Sequence, residues 1–246
     1  MKIREKFKKV NDLINNDKVK LKLEEDIYTF NLLQSLLAEG NYLPYSAMAM
    51  RPFSLAYVLN EIVVNKRTQI LEFGSGISTI LICRLIKRNN LNIKFKSVDH
   101  DINWIALVKS NLEKESLEKY VDFIHSPLIK RPLEGNLNHW YELGNLTEIE
   151  NYKVDLLLVD GPTAFSAEIA TSRYFALDFT KDNLLENAVI FLDDASRDGE
   201  LRVMKKWSKE FLLNFDIVGS TLGVCYIGNY YESCPLITSR IAVTIS

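Results

Sequence analysis

The sequence predicts an α/β fold: a doubly wound, mainly parallel sheet of seven strands that ends in an antiparallel hairpin, with a helical N-terminal extension. From Thr68 onward, short apolar runs typical of buried strands alternate with helix-like segments. This order is expected when helices cover both faces of a parallel sheet. The first strand also ends in a turn that contains Gly74 and Gly76, and cofactors bind at such turns in doubly wound folds.

The N-terminal part of the chain is predicted to be helical. Apolar residues recur at helix spacing over residues 27–37, and residues 53–64 predict a second helix. The lysine-rich residues 1–22 are expected to form an exposed, partly helical lead-in, because they lack the apolar core of a signal peptide. We therefore expect residues 1–66 to form a helical extension. Within it, residues 43–52 are either a lid over a pocket or a packed connection.

The sheet domain is expected to occupy residues 67–246. A short link that contains glycine joins the last two strands, which favours antiparallel pairing between them. The strands are predicted at residues 69–73, 95–98, 121–125, 154–159, 188–192, 215–219 and 223–227.

Composition narrows the classes of function. The 246 residues carry a formal charge of -2, with 47% hydrophobic and 25% charged residues, as in an ordinary globular domain. This balance argues against a general affinity for nucleic acid or for an anionic membrane, and no apolar run has the length of a membrane span. Three scattered cysteines without a CxxC pair disfavour a disulfide framework. We expect a cytoplasmic protein that acts on a small molecule, either as a monomer or as a homo-oligomer.

The turn after the first strand indicates the class of cofactor. A dinucleotide motif would place a third glycine three residues after Gly76, where Thr79 stands, and Glu72 would place a carboxylate near the pyrophosphate. S-adenosylmethionine has no phosphate, and its ammonium group is one that a carboxylate can help to hold. The turn therefore favours S-adenosylmethionine, although a glycine-capped turn without a ligand also fits the pattern.

An acidic residue at the end of the second strand supports the same cofactor. Asp99 follows Gly76 by 23 residues, close to the interval of about 20 at which an acid accepts hydrogen bonds from ribose hydroxyls. We favour Asp99 over Asp101, because Asp101 is placed to cap the helix that begins near Trp104. His100 is either a residue on the adenine side or an exposed loop histidine.

Three segments together resemble class I S-adenosylmethionine-dependent methyltransferases. They are residues 72–76 (Glu-Phe-Gly-Ser-Gly), residues 97–101 (Ser-Val-Asp-His-Asp) and residues 155–162 (Asp-Leu-Leu-Leu-Val-Asp-Gly-Pro). The resemblance spans about residues 43–228. It implies a Rossmann-like seven-stranded sheet, a methyl donor bound over the first two strands, and an acceptor pocket built by loops and the N-terminal extension.

The resemblance also implies particular contacts with the donor. Gly74, Ser75 and Gly76 would line its methionine end, and Ser126 with Pro127 would lie beside its adenine. Ser78 stands where the family often has a third glycine. We expect Ser78 and the following Thr79 to supply hydroxyls or helix-cap hydrogen bonds instead.

Acidic residues follow the fourth and fifth predicted strands. Asp160, Asp193 and Asp194 are similar in placement to the metal ligands of catechol-type O-methyltransferases, which implies a candidate site for Mg²⁺ or another divalent cation. The match is incomplete, because Asp194 replaces an asparagine and residues 161–163 offer no lysine as a base. Asp160 is also a candidate contact of the donor.

A site without metal is the alternative. Asp160 would then contact the donor or the acceptor, while Asp193 and its neighbour would organise loops with Arg173 or Arg197. The general base would come from the same edge of the sheet, where His125, Asp160 and Asp193 are the candidates. His139, Trp140 and Tyr141, in a segment expected to be irregular, would wall the acceptor pocket or pack the loop onto the core.

The sequence therefore predicts an S-adenosylmethionine-dependent methyltransferase that acts on a small acceptor, preferably at a hydroxyl oxygen. The alternatives are an NAD(P)-dependent oxidoreductase and a non-catalytic binding module on the same fold.

Overall fold

The computed structural model describes residues 2–43 and 45–236, and the side chains from Asp17 onward except that of Lys18. Met1 and Pro44 of the predicted extension, and residues 237–246 of the predicted sheet domain, lie outside the described residues. The helices are α1 (Lys2–Leu37), α2 (Pro52–Val64), α3 (Ile77–Asn89), α4 (Ile102–Glu113), α5 (Tyr174–Thr180) and α6 (Asp198–Phe211). The strands are β1 (Gln69–Phe73), β2 (Lys94–Asp99), β3 (Asp122–His125), β4 (Leu128–Leu133), β5 (Asn136–Tyr141), β6 (Val154–Val159), β7 (Leu184–Leu192), β8 (Asp216–Val218) and β9 (Leu222–Tyr226).

The main sheet has seven strands in the order β3-β2-β1-β6-β7-β9-β8. Its first five strands pair in parallel, and β9 runs antiparallel to both β7 and β8. The predicted fold class and the antiparallel terminal hairpin are therefore confirmed. Among the described helices, none combines the length and the apolar character needed to cross a bilayer.

Two apolar clusters lie on opposite faces of the sheet, and alternate residues of each strand divide between them. In β1, Ile70 belongs to the cluster under α1, α2 and α3, whereas Leu71 belongs to the cluster under α5 and α6. In β6, Leu156 and Leu157 divide in the same way. Because successive side chains of a strand point to opposite faces, a sheet covered on both sides needs continuous apolar strands.

The helical extension packs against the sheet domain. In α2, the ring of Tyr57 meets that of Phe191 in β7 with centroids 5.4 Å apart. Arg51, just before α2, donates a hydrogen bond from Nη1 to the carbonyl of Gly219 (2.6 Å). Its Nε donates to Asp26 of α1 (3.0 Å). These contacts join α1, α2 and the β8–β9 turn, and the division after residue 66 stays a prediction.

The chain also forms a second sheet, which has two strands. Strands β4 and β5 pair antiparallel through a link at Glu134 and Gly135, whose φ angles of 49° and 82° are positive, as in a type I′ hairpin turn. The expectation of an irregular segment at residues 139–141 is wrong, because these residues end β5. Pro132 argues against a strand in the sequence, yet it is tolerated here because a two-stranded sheet consists only of edges.

Candidate active site

A cavity of about 490 Å³ opens at the carboxyl ends of β1, β2, β6 and β7. Cavities of roughly 300–1,000 Å³ accommodate small ligands and cofactors. One wall consists of the glycine turn, the end of β2 and the face of α4. The acidic residues after β6 and β7 also line the cavity. The sequence places both sets of residues there, because the carboxyl ends of parallel strands meet at one edge of the sheet.

Glu72 holds the glycine turn together from inside the protein. Its fully buried carboxylate accepts hydrogen bonds from the hydroxyls of Ser78 (2.5 Å), Thr79 (2.6 Å) and Ser97 (2.6 Å). Burial raises the pKa of Glu72 to about 7, although the three hydroxyls oppose the shift. Neither Glu72 nor Thr79 lines the cavity, whereas Ser78 does. In this structure both side chains stabilise the turn, and Thr79 accepts the expected helix-cap hydrogen bond from the backbone nitrogen of Gly76 (2.9 Å). That Glu72 and Thr79 touch the cofactor stays a prediction.

The two glycines of the turn have different roles. Gly74 has φ 98°, and a Cβ on it would lie 2.8 Å from the backbone nitrogen of Gly161, so this position needs glycine for both conformation and close packing. Gly76 has an extended φ of 176°, and a Cβ on it would meet no atom within 4 Å. Gly76 lines the cavity, so its missing side chain leaves room for a ligand against the turn.

Asp99 lies on the same wall with its carboxylate held in place. Oδ2 accepts from the backbone nitrogen of Ser75 (2.8 Å), Oδ1 accepts from that of Asp101 (3.0 Å), and Nδ1 of His100 lies 3.3 Å from Oδ1. Burial raises the pKa of Asp99, but hydrogen bonds from His100, Asp101 and Ser75 outweigh it and leave the pKa below its usual value. Asp99 and His100 both line the cavity, where an ionised carboxylate can accept hydroxyl hydrogen bonds. Asp101 caps α4, as predicted, through the backbone nitrogens at its N-terminus.

The residues after β3 do not reach the cavity. His125 is exposed, and its Nε2 lies 3.1 Å from the carbonyl of His100. The backbone of Ser126 donates to the carbonyl of Asp99 (3.0 Å), and the hydroxyl of Ser126 donates to that of Glu142 (3.0 Å). None of His125, Ser126 and Pro127 lines the cavity. The structure therefore brings neither the candidate base nor the candidate adenine contacts to the site, because the chain turns directly into β4.

The acidic part of the cavity lining is formed by Asp160 after β6 and by Asp193 and Asp194 after β7. One carboxylate oxygen from each lies within 4.8 Å of the others. Burial raises the pKa of Asp160 well above its usual value, and the neighbouring carboxylate of Asp193 adds to the shift. Burial and the charge of Asp194 raise the pKa of Asp193 to about 6. We call these three residues the acidic rim.

Two arginines are bound to the acidic rim. The buried guanidinium of Arg173 lies 3.3 Å from Asp160 Oδ1 and 3.4 Å from Asp194 Oδ2. Arg197 Nη2 lies 2.7 Å from Asp194 Oδ2 and 2.7 Å from Glu200 Oε1. These ion pairs are the arginine contacts expected for a site without metal.

This arrangement does not suit a divalent cation. Three carboxylates are suitable ligands for such an ion, but Asp194 Oδ2 already receives two guanidinium groups. An ion at roughly 2.0–2.6 Å from that oxygen would lie within about 6 Å of Arg173 Nη1. The two cations would repel each other by about 5 kcal/mol at an effective dielectric constant of about 20. Asp160 Oδ1 also accepts a hydrogen bond from Arg173, so two of the three carboxylates are already paired with guanidinium groups. The residues present do not fit a metal ion, and we derive no step through one.

A family model described as a methyltransferase domain matches residues 71–195, which are 125 of the 246 residues. The match includes the glycine turn, the end of β2 and the acidic rim. The chain belongs to this methyltransferase family. This membership confirms the resemblance found in the sequence and decides against the oxidoreductase alternative.

Solved structures of methyltransferases share the fold. The O-methyltransferase from Bacillus cereus in complex with S-adenosylhomocysteine is 16% identical, with a TM-score of 0.54 over 82% of this chain and 90% of that chain. The S-adenosylhomocysteine-bound methyltransferase PaMTH1 from Podospora anserina is 13% identical, with a TM-score of 0.52 over 91% and 96%. The O-methyltransferase TomG from Streptomyces achromogenes, involved in tomaymycin synthesis and bound to S-adenosylmethionine, is 12% identical, with a TM-score of 0.50 over 82% and 90%. No curated protein matches the sequence.

The hairpin of this methyltransferase supplies one cavity residue, which is among the three aromatic candidates from the sequence. Tyr141, at the end of β5, is fully buried, lines the cavity and stacks on Phe73 with centroids 5.6 Å apart. Its hydroxyl lies against Gly161 and has no hydrogen-bond partner among the described residues. Burial raises the pKa of Tyr141 well above its usual value, so the hydroxyl keeps its proton and remains a hydrogen-bond donor. His139 and Trp140, its neighbours, do not line the cavity.

Residues 43–52, expected to be either a lid or a packed connection, border the cavity of the methyltransferase. Ser46, Ala47, Met48 and Met50 line it, and the side chain of Met48 remains 64% exposed. The hydroxyl of Tyr45 donates to the carbonyl of Met50 and closes this loop on itself. Its role as a lid stays one of the two predicted alternatives.

Proposed function

We propose that this methyltransferase transfers the methyl group of S-adenosylmethionine to a hydroxyl oxygen of a small-molecule acceptor. One observation carries the proposal: the open side of Gly76 and the ionised carboxylate of Asp99 share one wall of a cavity that three further aspartates also line. Solved structures of the same fold, among them two O-methyltransferases, hold S-adenosylmethionine or its demethylated product. A cavity of about 490 Å³ is large enough for a nucleoside-sized ligand.

The wall formed by the glycine turn, the end of β2 and α4 offers a contact for the ribose, the adenine and the methionine end of the donor. Asp99 would accept the ribose hydroxyls, with His100 beside the adenine. Trp104 borders this end, and its ring is fixed because Nε1 donates to the carbonyl of Ser75 (2.7 Å). The methionine end would then lie against Gly76, where the hydroxyl of Tyr141 offers a donor.

Methyl transfer to a hydroxyl also needs a base. Asp193 lines the cavity with a pKa raised to about 6, so at neutral pH it is mostly ionised and still basic enough to accept a proton. The acceptor oxygen would pass its proton to Asp193 and attack the methyl carbon in line. The bond from that carbon to sulfur breaks with its electron pair on sulfur, which leaves S-adenosylhomocysteine. Asp160 also lines the cavity, where its carboxyl group would contact the donor or the acceptor.

The acceptor is expected to have an apolar part beside its hydroxyl. Met48 and Phe165 border the cavity with side chains 64% and 62% exposed, which offers apolar surface for a bound molecule. The near-neutral net charge of -2 does not favour nucleic acid as the acceptor. A cytoplasmic location and homo-oligomer formation remain part of the proposal.

Calorimetric titration with S-adenosylmethionine tests the donor assignment. Asp99→Asn removes the charge that accepts ribose hydroxyls, and we expect its dissociation constant to rise about 10-fold or more, since charged hydrogen bonds contribute about 1.5–3 kcal/mol. Asp101→Asn is the matched control, because asparagine caps helices as well as aspartate does. Absence of binding by the wild-type protein, or an equal loss in both variants, would refute the proposal. A screen of hydroxylated compounds that measures S-adenosylhomocysteine formation would then identify the acceptor.

A further inference from the structure

We propose that Arg173 is the resident cation of the acidic rim and takes the place of a divalent metal ion, so that the enzyme binds its donor and transfers methyl groups without metal. The inference rests on the proposed function, because the rim is where the acceptor is expected to lose its proton. It concerns a positioning residue, since Arg173 acts through the groups that it holds.

The guanidinium of Arg173 lies beside the carboxylates of three acids. It lies 3.3 Å from Asp160 Oδ1, 3.4 Å from Asp194 Oδ2 and 3.7 Å from Glu200 Oε1. Its side chain is only 3% exposed. A buried charge persists only when it is paired and hydrogen-bonded, and Arg173 meets both conditions.

The same guanidinium also joins the backbones of two strand ends. Nη2 donates to the carbonyl of Asp160 (2.6 Å), Nη1 donates to that of Asp193 (2.9 Å), and Nε donates to that of Pro162 (3.2 Å). The planar fork of arginine supplies several donors in fixed directions. A metal ion would hold carboxylates together, whereas Arg173 holds the carboxylates and the chain that carries them.

Neighbouring residues support the proposal that Arg173 takes the place of a metal ion. Arg197 and Glu200 follow Asp194 at intervals of three residues, and Arg197 bridges the two acids at 2.7 Å from each. Glu200 is buried and lies beside Arg173, which extends the cluster beyond the three residues that a metal would use. Four acids therefore lie near the two arginines, which leaves an excess of negative charge. The positive sulfonium of the bound donor would reduce this excess.

Metal binding by the wild-type protein gives the first test. The protein is treated with EDTA, and free Mn²⁺ is measured by electron paramagnetic resonance during titration, with the melting temperature followed in Mg²⁺, Mn²⁺ and Ca²⁺. We expect no Mn²⁺ binding and no shift at millimolar concentrations. A 1:1 complex of sub-millimolar affinity that raises the melting temperature would overturn the proposal.

Arg173→Ala gives the second test, because it removes the guanidinium and leaves the acids. We expect this variant to gain Mn²⁺ affinity by at least about 100-fold over the wild type, since the repulsion is removed. Arg173→Lys is the matched control that keeps a charge without the fork, and it should remain unable to bind Mn²⁺. Equal Mn²⁺ affinity in wild type and Arg173→Ala would refute the inference. If Arg173→Ala does not fold, the wild-type titration decides by itself.

Donor titration separates this inference from the proposed function. Wild-type protein that binds S-adenosylmethionine equally with EDTA and with Mg²⁺ supports both. Failure to bind the donor in either condition refutes the proposed function, whereas the Mn²⁺ titrations still decide the role of Arg173. Donor binding or S-adenosylhomocysteine formation that is lost in EDTA and restored by Mg²⁺ refutes the inference alone.

Discussion

The variant Gly76→Ala tests whether the donor lies against the glycine turn, because it should fill the ligand space without disturbing the fold. The added methyl group meets no protein atom within 4 Å, and the extended φ of 176° suits alanine. The free energy of unfolding without ligand should therefore stay the same or rise by about 0.4–1 kcal/mol, because alanine restricts the unfolded chain. The methyl group would instead occupy the side of the turn where the donor is expected to lie. Overlap of this kind costs about 1–3 kcal/mol, which corresponds to a dissociation constant about 5- to 150-fold higher.

Gly74→Ala is the matched control with the opposite pattern. Its φ of 98° strains any side chain, and its Cβ would lie 2.8 Å from the nitrogen of Gly161. Strain and overlap together should cost about 2–5 kcal/mol of folding free energy. Urea unfolding measures the stability of both variants, and calorimetry measures donor binding. Wild-type donor affinity in a stable Gly76→Ala protein would show that the donor does not lie against the turn, and would refute this placement of the site.

Two further variants address buried polar groups. Tyr141→Phe removes a hydroxyl that has no hydrogen-bond partner among the described residues. By urea unfolding, the ligand-free variant should be as stable as the wild type or up to about 1 kcal/mol more stable. Its affinity for the donor should fall about 5-fold or more. Lower stability with unchanged donor affinity would assign Tyr141 a structural role only. Because burial raises the pKa of Glu72 from 4.5 to about 7, its stabilising contribution is complete below pH 4.5 and is lost as the pH rises to about 7. Glutamine does not titrate, so between pH 4.5 and 7 the unfolding free energy of Glu72→Gln should fall by about 3 kcal/mol less than that of the wild type. Equal slopes of unfolding free energy against pH in the two proteins would contradict the assignment.

The predicted strands agree with the structure because their signals are local. The strands at residues 69–73 and 154–159 are found with the predicted bounds, since apolar runs flanked by polar and small residues mark buried parallel strands. Strand β7 begins at Leu184, earlier than its apolar run, because its first part pairs with β6 beyond a register shift. Hairpin β4–β5 was missed, because Pro132 and its polar neighbours do not resemble a strand unless the partner strand is known.

The candidate site, like the fold, was predicted only in part from the sequence. Asp99, Asp160 and Asp193 each stand at the end of a parallel strand or directly after one, so their position in the chain predicts that they line one cavity at the carboxyl edge of the sheet. The direction of each side chain depends on what packs beside it. Glu72 turns inward because Ser97, on the adjacent strand, and the start of α3 supply hydroxyls, and His125 stays outside because the edge strand leads into the hairpin.

The sequence by itself determined the sheet, the cofactor-binding edge and the membership of a methyltransferase family, because strand periodicity, glycine turns and acids at strand ends are properties of short segments. Only the tertiary structure decided which groups neutralise the acidic rim. Arg173 is 13 residues from Asp160 and 21 from Asp194 in the chain, yet it contacts both. Charge pairing of this kind depends on distances of 3–4 Å between separate segments, and only the packing of the β6 and β7 loops around one guanidinium brings them that close.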